Sequence, residues 1–339
     1  MVKTMPVINH KDKQACERYN QFIETARFSS ITQETDWGHV KNNWEPLYVY
    51  LEEAGEIVAA MSILTIQNMG EESFAYAAKG PVMNEVSIAY IERLVEEAEA
   101  ELAKRKVFLL RMDPEFPYSE ELNLALKQTN LLVRNREVAG KETIQPRYNM
   151  LLELRGRTEE EILSSFYGKT RYRIRYAQKK GLTSRVSSDW EDLALFYTLY
   201  ETTSRRHGIS YRPRNYFIRL AESFLDSGKM KIILILIDGV PDAGGLCFLS
   251  GNKVWYMYAG STHENQVLMA PYLMNWEGIK WALAEGKEAY DFGGVFDLTN
   301  EDGLYQFKHG FIRPGQPTEY IGELDKVYNQ EVYQRFIAK

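Results

Sequence analysis

Tyr48-Val49-Tyr50-Leu51, a turn at Glu53-Ala54-Gly55 and a return through Ile57-Val58-Ala59-Ala60-Met61 form one half of a pattern that the chain uses twice. The other half is Ile232-Ile233-Leu234-Ile235, a turn at Asp238-Gly239 and a return through Ala243-Gly244-Gly245 to Leu246-Cys247-Phe248. Both read as hairpins closed by a glycine-containing turn. A third strand follows each, Phe74-Ala75-Tyr76-Ala77 before Gly80 and Trp255-Tyr256-Met257-Tyr258 before Gly260. Helices come next. Ile91, Leu94, Val95 and Ala98 recur at helical spacing in the first copy, and Pro271 sits in the first turn of the second, which runs through Trp276, Ile279 and Leu283 to Gly286. Each helix leads into one more strand, Val107–Leu110 and Tyr290–Phe292. From Gly55 to Gly239 is 184 residues and from Gly80 to Gly260 is 180, so the two copies keep nearly one offset.

A strand–strand–strand–helix–strand unit resembles the GNAT-type acyltransferase fold, in which a mixed sheet opens beside its central strands to admit an acyl donor. The fold class expected is therefore α/β (α+β): two tandem GNAT-like lobes facing a central cleft, with no coiled-coil arm, because no long heptad segment occurs. Lobe 1 spans 1–150 and lobe 2 spans 151–339, with the C-terminal segment returning towards lobe 1.

Hydrophobic residues at 45% and aromatics at 13% are enough to fill two cores and exclude a disordered chain. A formal net charge of −6 argues against a protein that coats nucleic acid indiscriminately, though not against one local basic patch. Cys16 and Cys247 are too few and too far apart for a disulfide framework or a metal site. With no apolar leader near Met1 and no apolar run beyond strand length, the expected setting is the cytoplasm, with no membrane span.

One segment departs from that acidic average. Lys169, Arg171, Arg173, Arg175, Lys179, Lys180 and Arg185 follow one another without an acidic residue, with Tyr172 and Tyr176 interleaved. The segment follows Thr158 and Glu161, a capping-box pair that opens a helix. Such a cluster suits a phosphate-rich ligand, above all RNA. A solvated face paired with carboxylates elsewhere would look the same in sequence.

The acyl donor is constrained by what is missing. The loops placed where GNAT enzymes hold the coenzyme A pyrophosphate read Lys79-Gly80-Pro81-Val82-Met83-Asn84 and Gln266-Val267-Leu268-Met269-Ala270-Pro271. They lack the glycines, and each carries a proline that removes a backbone donor. Gly168-Lys169-Thr170 lacks the upstream glycine of a nucleotide-binding loop, since that position is Leu163. No nucleophile elbow and no convincing cysteine–histidine pair occurs either.

Several strings are specific: Trp37-Gly38-His39-Val40-Lys41-Asn42-Asn43-Trp44, Lys79-Gly80-Pro81, Arg206-His207-Gly208-Ile209 with Arg212-Pro213 and Tyr216-Phe217, Trp255 to Gly260, Phe307-Lys308-His309 and Tyr320-Ile321-Gly322-Glu323. In this order they resemble the Fem family of tRNA-dependent peptidoglycan aminoacyltransferases over almost the whole chain. The likeness is to members without an inserted coiled-coil arm. It implies transfer of an amino acid, alanine before serine or glycine, from aminoacyl-tRNA to the lysine ε-amine of UDP-MurNAc-pentapeptide. The charged tRNA is then a co-substrate, with no cofactor and no metal, and the chain acts as a monomer. The resemblance assigns Lys41, Asn42, Asn43, Trp44, Arg212, Tyr216 and Tyr258 to the precursor, and Phe307 and Lys308 to the aminoacyl end of the tRNA. The basic residues Lys169, Arg171, Arg173, Arg175, Lys179 and Lys180 are then tRNA contacts.

These residue types suit the reaction. Lys41 and Arg212 are counter-charges for a pyrophosphate, and Trp44, Tyr216 and Tyr258 offer flat faces and hydroxyls. An aminoacyl ester is already activated, so the step needs a cation where the oxyanion forms, a role for Lys308. Asp113, in Arg111-Met112-Asp113-Pro114, is a candidate base, as is Glu323. The competing readings are a coenzyme A-dependent N-acyltransferase of the same fold and a non-catalytic binder of RNA or precursor.

Overall fold

A computed structural model describes residues 7–8, 11–208, 211–299, 301–312 and 316–338 (of Lys141 the backbone alone). Ile209, the last residue of the Arg206–Ile209 string, lies outside these. The chain divides into two compact units, 1–147 with 319–339, and 148–318. The C-terminal residues from 319 onward thus belong to the first unit rather than to a second lobe running through 339. No helix among the described residues is long and apolar enough to cross a membrane.

In unit 1 the strands Glu45–Glu53 and Glu56–Met69 form the first hairpin, and Glu72–Ala77 adds to it antiparallel. The helix Ile88–Lys104 starts at Ser87, whose side chain accepts from the Tyr90 backbone N–H. It buries Ile91, Leu94, Val95 and Ala98 against the sheet and crosses over to Val107–Met112, which pairs parallel with Glu72–Ala77. A connection of this length is what a parallel pair requires. The returning strand Glu323–Val327 then pairs antiparallel with Val107–Met112 and with Leu132–Arg134. It is held there by charge: Arg111 donates to both Asp325 oxygens at 2.7 Å, and Arg134 reaches Glu323 at 3.0 Å.

Unit 2 repeats the order with Met230–Ile237, Val240–Ser250, Lys253–Ser261, the helix Ala270–Ala284 and the strand Ala289–Val295. The apolar runs become central strands, and the helix buries Trp276, Ile279 and Trp281 on them. One difference separates the two copies. In unit 1 the parallel pair stays joined from Ser73–Val107 to Ala77–Met112. In unit 2 pairing covers only Lys253–Ala289, Val254–Tyr290 and Trp255–Asp291, after which the strands part. The opened sheet belongs to the second unit.

Gly260 shows why the small residues of the repeat matter. A Cβ there would lie 2.3 Å from the Tyr200 backbone nitrogen and 2.4 Å from the Leu199 carbonyl carbon. Only glycine lets the helix Trp190–His207 lie this close over the strand Lys253–Ser261.

Candidate active site

Lys308 sits beside the opening of the second sheet. The short helix Gly303–His309 that carries it is capped by Asp302, whose side chain accepts from the Leu304 and Tyr305 backbone N–H groups. Lys308 is 6% exposed, and its Nζ donates to the Gly294 carbonyl at 2.9 Å. Burial pulls its ammonium down to about 8, while the nearby Asp291 and Asp302 push the other way. It is a cation enclosed in protein.

The neighbouring Phe307 points to a cavity. Its ring meets Tyr272 edge-on at 4.9 Å, and the Arg173 guanidinium lies over the other partner, the Tyr272 ring, at 4.8 Å. With Met269, Pro271 and Gln266, these residues line a cavity of about 720 Å³ at the start of the helix Ala270–Ala284. The sequence did not single out Tyr272. Its only local signal was an aromatic just after Pro271.

Arg212, Tyr216 and Tyr258 are brought together within unit 2. The Tyr216 and Tyr258 hydroxyls share a hydrogen bond of 2.8 Å, and the exposed Arg212 guanidinium lies 5.4 Å from the Tyr216 ring. Burial raises both phenols, so they remain protonated hydrogen-bonding groups at neutral pH. In unit 1, Lys41 to Trp44 form the turn between the helix Asp36–Val40 and the strand Glu45–Glu53. Asn42 and Asn43 are exposed, while Trp44 packs edge-on against Phe74 at 6.1 Å. Trp44 is thus partly a core residue, half-buried against that cluster.

Asp113 also lies in unit 1. Its oxygens accept from the Tyr76 hydroxyl at 2.7 Å and the Lys79 backbone N–H at 2.6 Å. Burial nevertheless pushes the carboxyl up to about 7, against the opposing pull of those hydrogen bonds and of the Lys79 charge. Glu323, the other carboxylate considered as a base, is engaged by Arg134, by Arg111 and by the Ile144 backbone N–H at 2.7 Å. That makes it a structural counter-charge.

The basic segment is only partly as the sequence suggested. Thr158 and Glu161 do form the capping box, but on the short helix Glu159–Ser165, and the basic residues occupy a second helix, Gly168–Lys179. Arg171 turns back onto the Ser164 and Phe166 carbonyls, which end the preceding helix. Arg173 is held by Tyr272, and Arg185 pairs with Asp192 at 2.7 Å. Of these three only Arg185 has its charge paired, while Arg171 and Arg173 are held in place by neutral groups and keep theirs. Lys169, Arg175, Lys179 and Lys180 stay exposed with no carboxylate in ion-pair range among the described residues. Beside them Tyr172, 64% exposed, stacks on Tyr176 at 5.7 Å. Neither cysteine offers a nucleophile: Cys247 is buried beside Tyr290, and its thiol is pushed up to about 12.

Two GNAT-like units, one with an opened sheet and an enclosed lysine beside it, define a tandem acyltransferase. The FemAB family model matches residues 15–239 and 237–338, and the chain belongs to that family. It is 40% identical, over 98% of its length and 99% of the relative's, to a UDP-N-acetylmuramoylpentapeptide-lysine N(6)-alanyltransferase of Weissella viridescens. A lipid II:glycine glycyltransferase of Staphylococcus haemolyticus is 24% identical, over 94% of this chain and 93% of that one. Among solved structures, FemX superposes with a TM-score of 0.86 at 20% identity, over 95% of this chain and 98% of that one. A tandem GNAT protein from the clavulanic acid pathway gives 0.53 at 8% identity, over 94% and 96%.

Proposed function

We propose that the chain transfers an amino acid, alanine in the first instance, from aminoacyl-tRNA to the lysine ε-amine of UDP-MurNAc-pentapeptide. This is the first step of a peptidoglycan interpeptide bridge. The relative from Weissella viridescens is named for this acceptor and this amino acid. The observation that carries the reading is Lys308, an enclosed cation beside an opened strand pair in a unit whose buried thiol cannot serve as nucleophile.

The neutral amine attacks the ester carbonyl, forming the C–N bond and an oxyanion. Collapse of that intermediate breaks the C–O bond to the terminal ribose, and the proton lost by nitrogen ends on the departing ribose oxygen. A protonated Lys308 stabilises the oxyanion. Asp113, with its carboxyl near 7, can accept the amine proton at neutral pH and pass it on. Lys41, Asn42, Asn43 and Trp44, with Arg212, Tyr216 and Tyr258, hold the precursor. Phe307 holds the aminoacyl end of the tRNA, and Lys169, Arg175, Lys179 and Lys180 its phosphates. The tRNA is a co-substrate, no further cofactor takes part, and the chain acts as a cytoplasmic monomer.

Incubation with Ala-tRNA and UDP-MurNAc-pentapeptide should raise the precursor's mass by one alanine residue, and ribonuclease should abolish the gain. Activity with an acyl-coenzyme A that survives ribonuclease would favour the coenzyme-dependent reading instead. No gain with Ala-, Ser- or Gly-tRNA would overturn the proposal.

The tRNA contacts make a separate expectation. Reversing Lys169, Arg175 and Lys179 to Glu together should weaken tRNA binding and lower the salt slope of log K by roughly two to three, as loss of that many phosphate contacts implies. Precursor affinity should hold. Arg171→Glu would confound this test, because it removes a helix cap.

A further inference from the structure

The strand Ala289–Val295 is irregular where it passes Lys308. Its register against Tyr148–Glu153 shifts between Asp291 and Gly294, and Gly293 adopts φ +78°. That conformation favours glycine, and the residue lies beside the lysine, since a Cβ on Gly293 would be 3.5 Å from Lys308 Nζ and 3.6 Å from Trp255 Nε1. The bulge has a visible cause. Asp291, fully buried, accepts the Gly293 backbone N–H at 2.7 Å, a local turn bond that draws the chain back on itself. The next carbonyl, Gly294, is the one that Lys308 Nζ grips.

Asp291 is itself locked from behind. Asn149 Nδ2 donates to both its oxygens at 2.9 Å, and Lys253 Nζ reaches Oδ2 at 2.8 Å. A hydrophobic strand position has thus been given to a carboxylate with a buried lysine counter-charge. Such a pair is a poor way to gain stability, because the desolvation of two ions offsets most of their attraction. Its place under the Lys308 acceptor supplies another reason for it.

We propose that Asp291 is a positioning residue for Lys308: its bond to Gly293 shapes the turn that aims the Gly294 carbonyl at the ammonium, and its charge keeps that ammonium protonated. The role in catalysis rests on the reading of Lys308 given above. The other charge that acts on Lys308 is Asp302, at the cap of its helix. Asp302 caps that helix through hydrogen bonds that leave its charge in place, so it acts equally in both variants below and the test reads the part that Asp291 adds.

The test compares two substitutions that break the same buried pair. Asp291→Asn keeps an oxygen for the Gly293 N–H and removes the negative charge. Lys253→Met removes the positive charge beside Asp291, and the ionisation of Asp291 in that variant is read from its ¹³Cγ shift. Lys308 is followed directly through its ¹³Cε chemical shift in lysine-labelled protein, assigned by its loss in Lys308→Arg. The titration midpoint should fall by roughly one pH unit in Asp291→Asn and rise in Lys253→Met, the scale expected for one charge at short range under partial screening. The high-pH loss of transferase activity should move with it in each variant. Midpoints that stay put, or that move the same way in both with Asp291 ionised, would overturn the proposal, because merely structural damage has no sign. Should Asp291→Asn fail to fold, Lys253→Met alone still decides: no rise with Asp291 ionised, or no fall with Asp291 protonated, overturns it. If the midpoints move in opposite directions while the activity profile does not follow, Asp291 positions Lys308 but the catalytic reading of Lys308 fails.

Discussion

Lys308→Ala lowers kcat by about 10²–10³-fold, the usual effect of losing one donor to a developing oxyanion. Precursor affinity changes little, because the residues proposed to hold the precursor lie elsewhere. The cost falls on kcat because the ammonium meets a full negative charge only in the transition state. Lys308→Arg recovers part of the rate. It restores the charge, but a planar fork does not fit a slot shaped for one Nζ on the Gly294 carbonyl. The pH profile makes the same point. With Lys308 proposed to act protonated, the rate should fall as pH rises through about 8, and that limb should disappear in Lys308→Ala. With Asp113 proposed as the base, the rate should rise as pH passes about 7, and that limb should disappear in Asp113→Asn. Steady-state kinetics across pH check both, and a Lys308→Ala enzyme with full turnover would remove the lysine from the mechanism.

The largest effect on stability belongs to Arg111. It is 4% exposed in a central strand of unit 1 and faces Asp325, itself fully buried, through two bonds of 2.7 Å, with Glu323 at 3.3 Å. Arg111→Ala leaves those carboxylates buried with less than their full counter-charge, and Arg134, at 3.0 Å from Glu323 and 3.8 Å from Asp325, cannot replace it. The expected loss is about 3–5 kcal/mol in urea denaturation, the range for breaking a buried ion pair. Combining Arg111→Met with Asp325→Leu recovers much of it, because the desolvation cost disappears with the pair. A loss for Arg111→Ala below about 1 kcal/mol would mean that the network behaves as an exposed one.

Much of the fold was legible because the repeat is written in local signals. Gly55 and Gly239 close hairpins, and the apolar spacing of Ile91 to Ala98 gives a helix that buries that face. The site was legible unevenly. Phe307, Lys308, Arg212, Tyr216 and Tyr258 stand in recognisable strings, and all belong to one unit. The partners of the basic run were not legible. Sequence counts charges, yet Arg171, Arg173 and Arg185 find their partners in a carbonyl pair, an aromatic ring and a carboxylate that only folding brings near.

By itself, then, the sequence determined what is periodic and local: two copies of one unit, their strands and helices, and which residue types could serve an acyl transfer without a nucleophile. The tertiary structure decided what depends on desolvation and on pairing across the sheet. It opened the strand pair in the second unit and not in the first. It enclosed Lys308 so that its ammonium falls to about 8, and set Asp291 beneath it with Lys253 and Asn149. Asp291 and Lys253 are 38 residues apart and Asn149 is 142 from Asp291. No short-range pattern registers such contacts, because the energy that fixes them arises only once the intervening strands have closed around the charges.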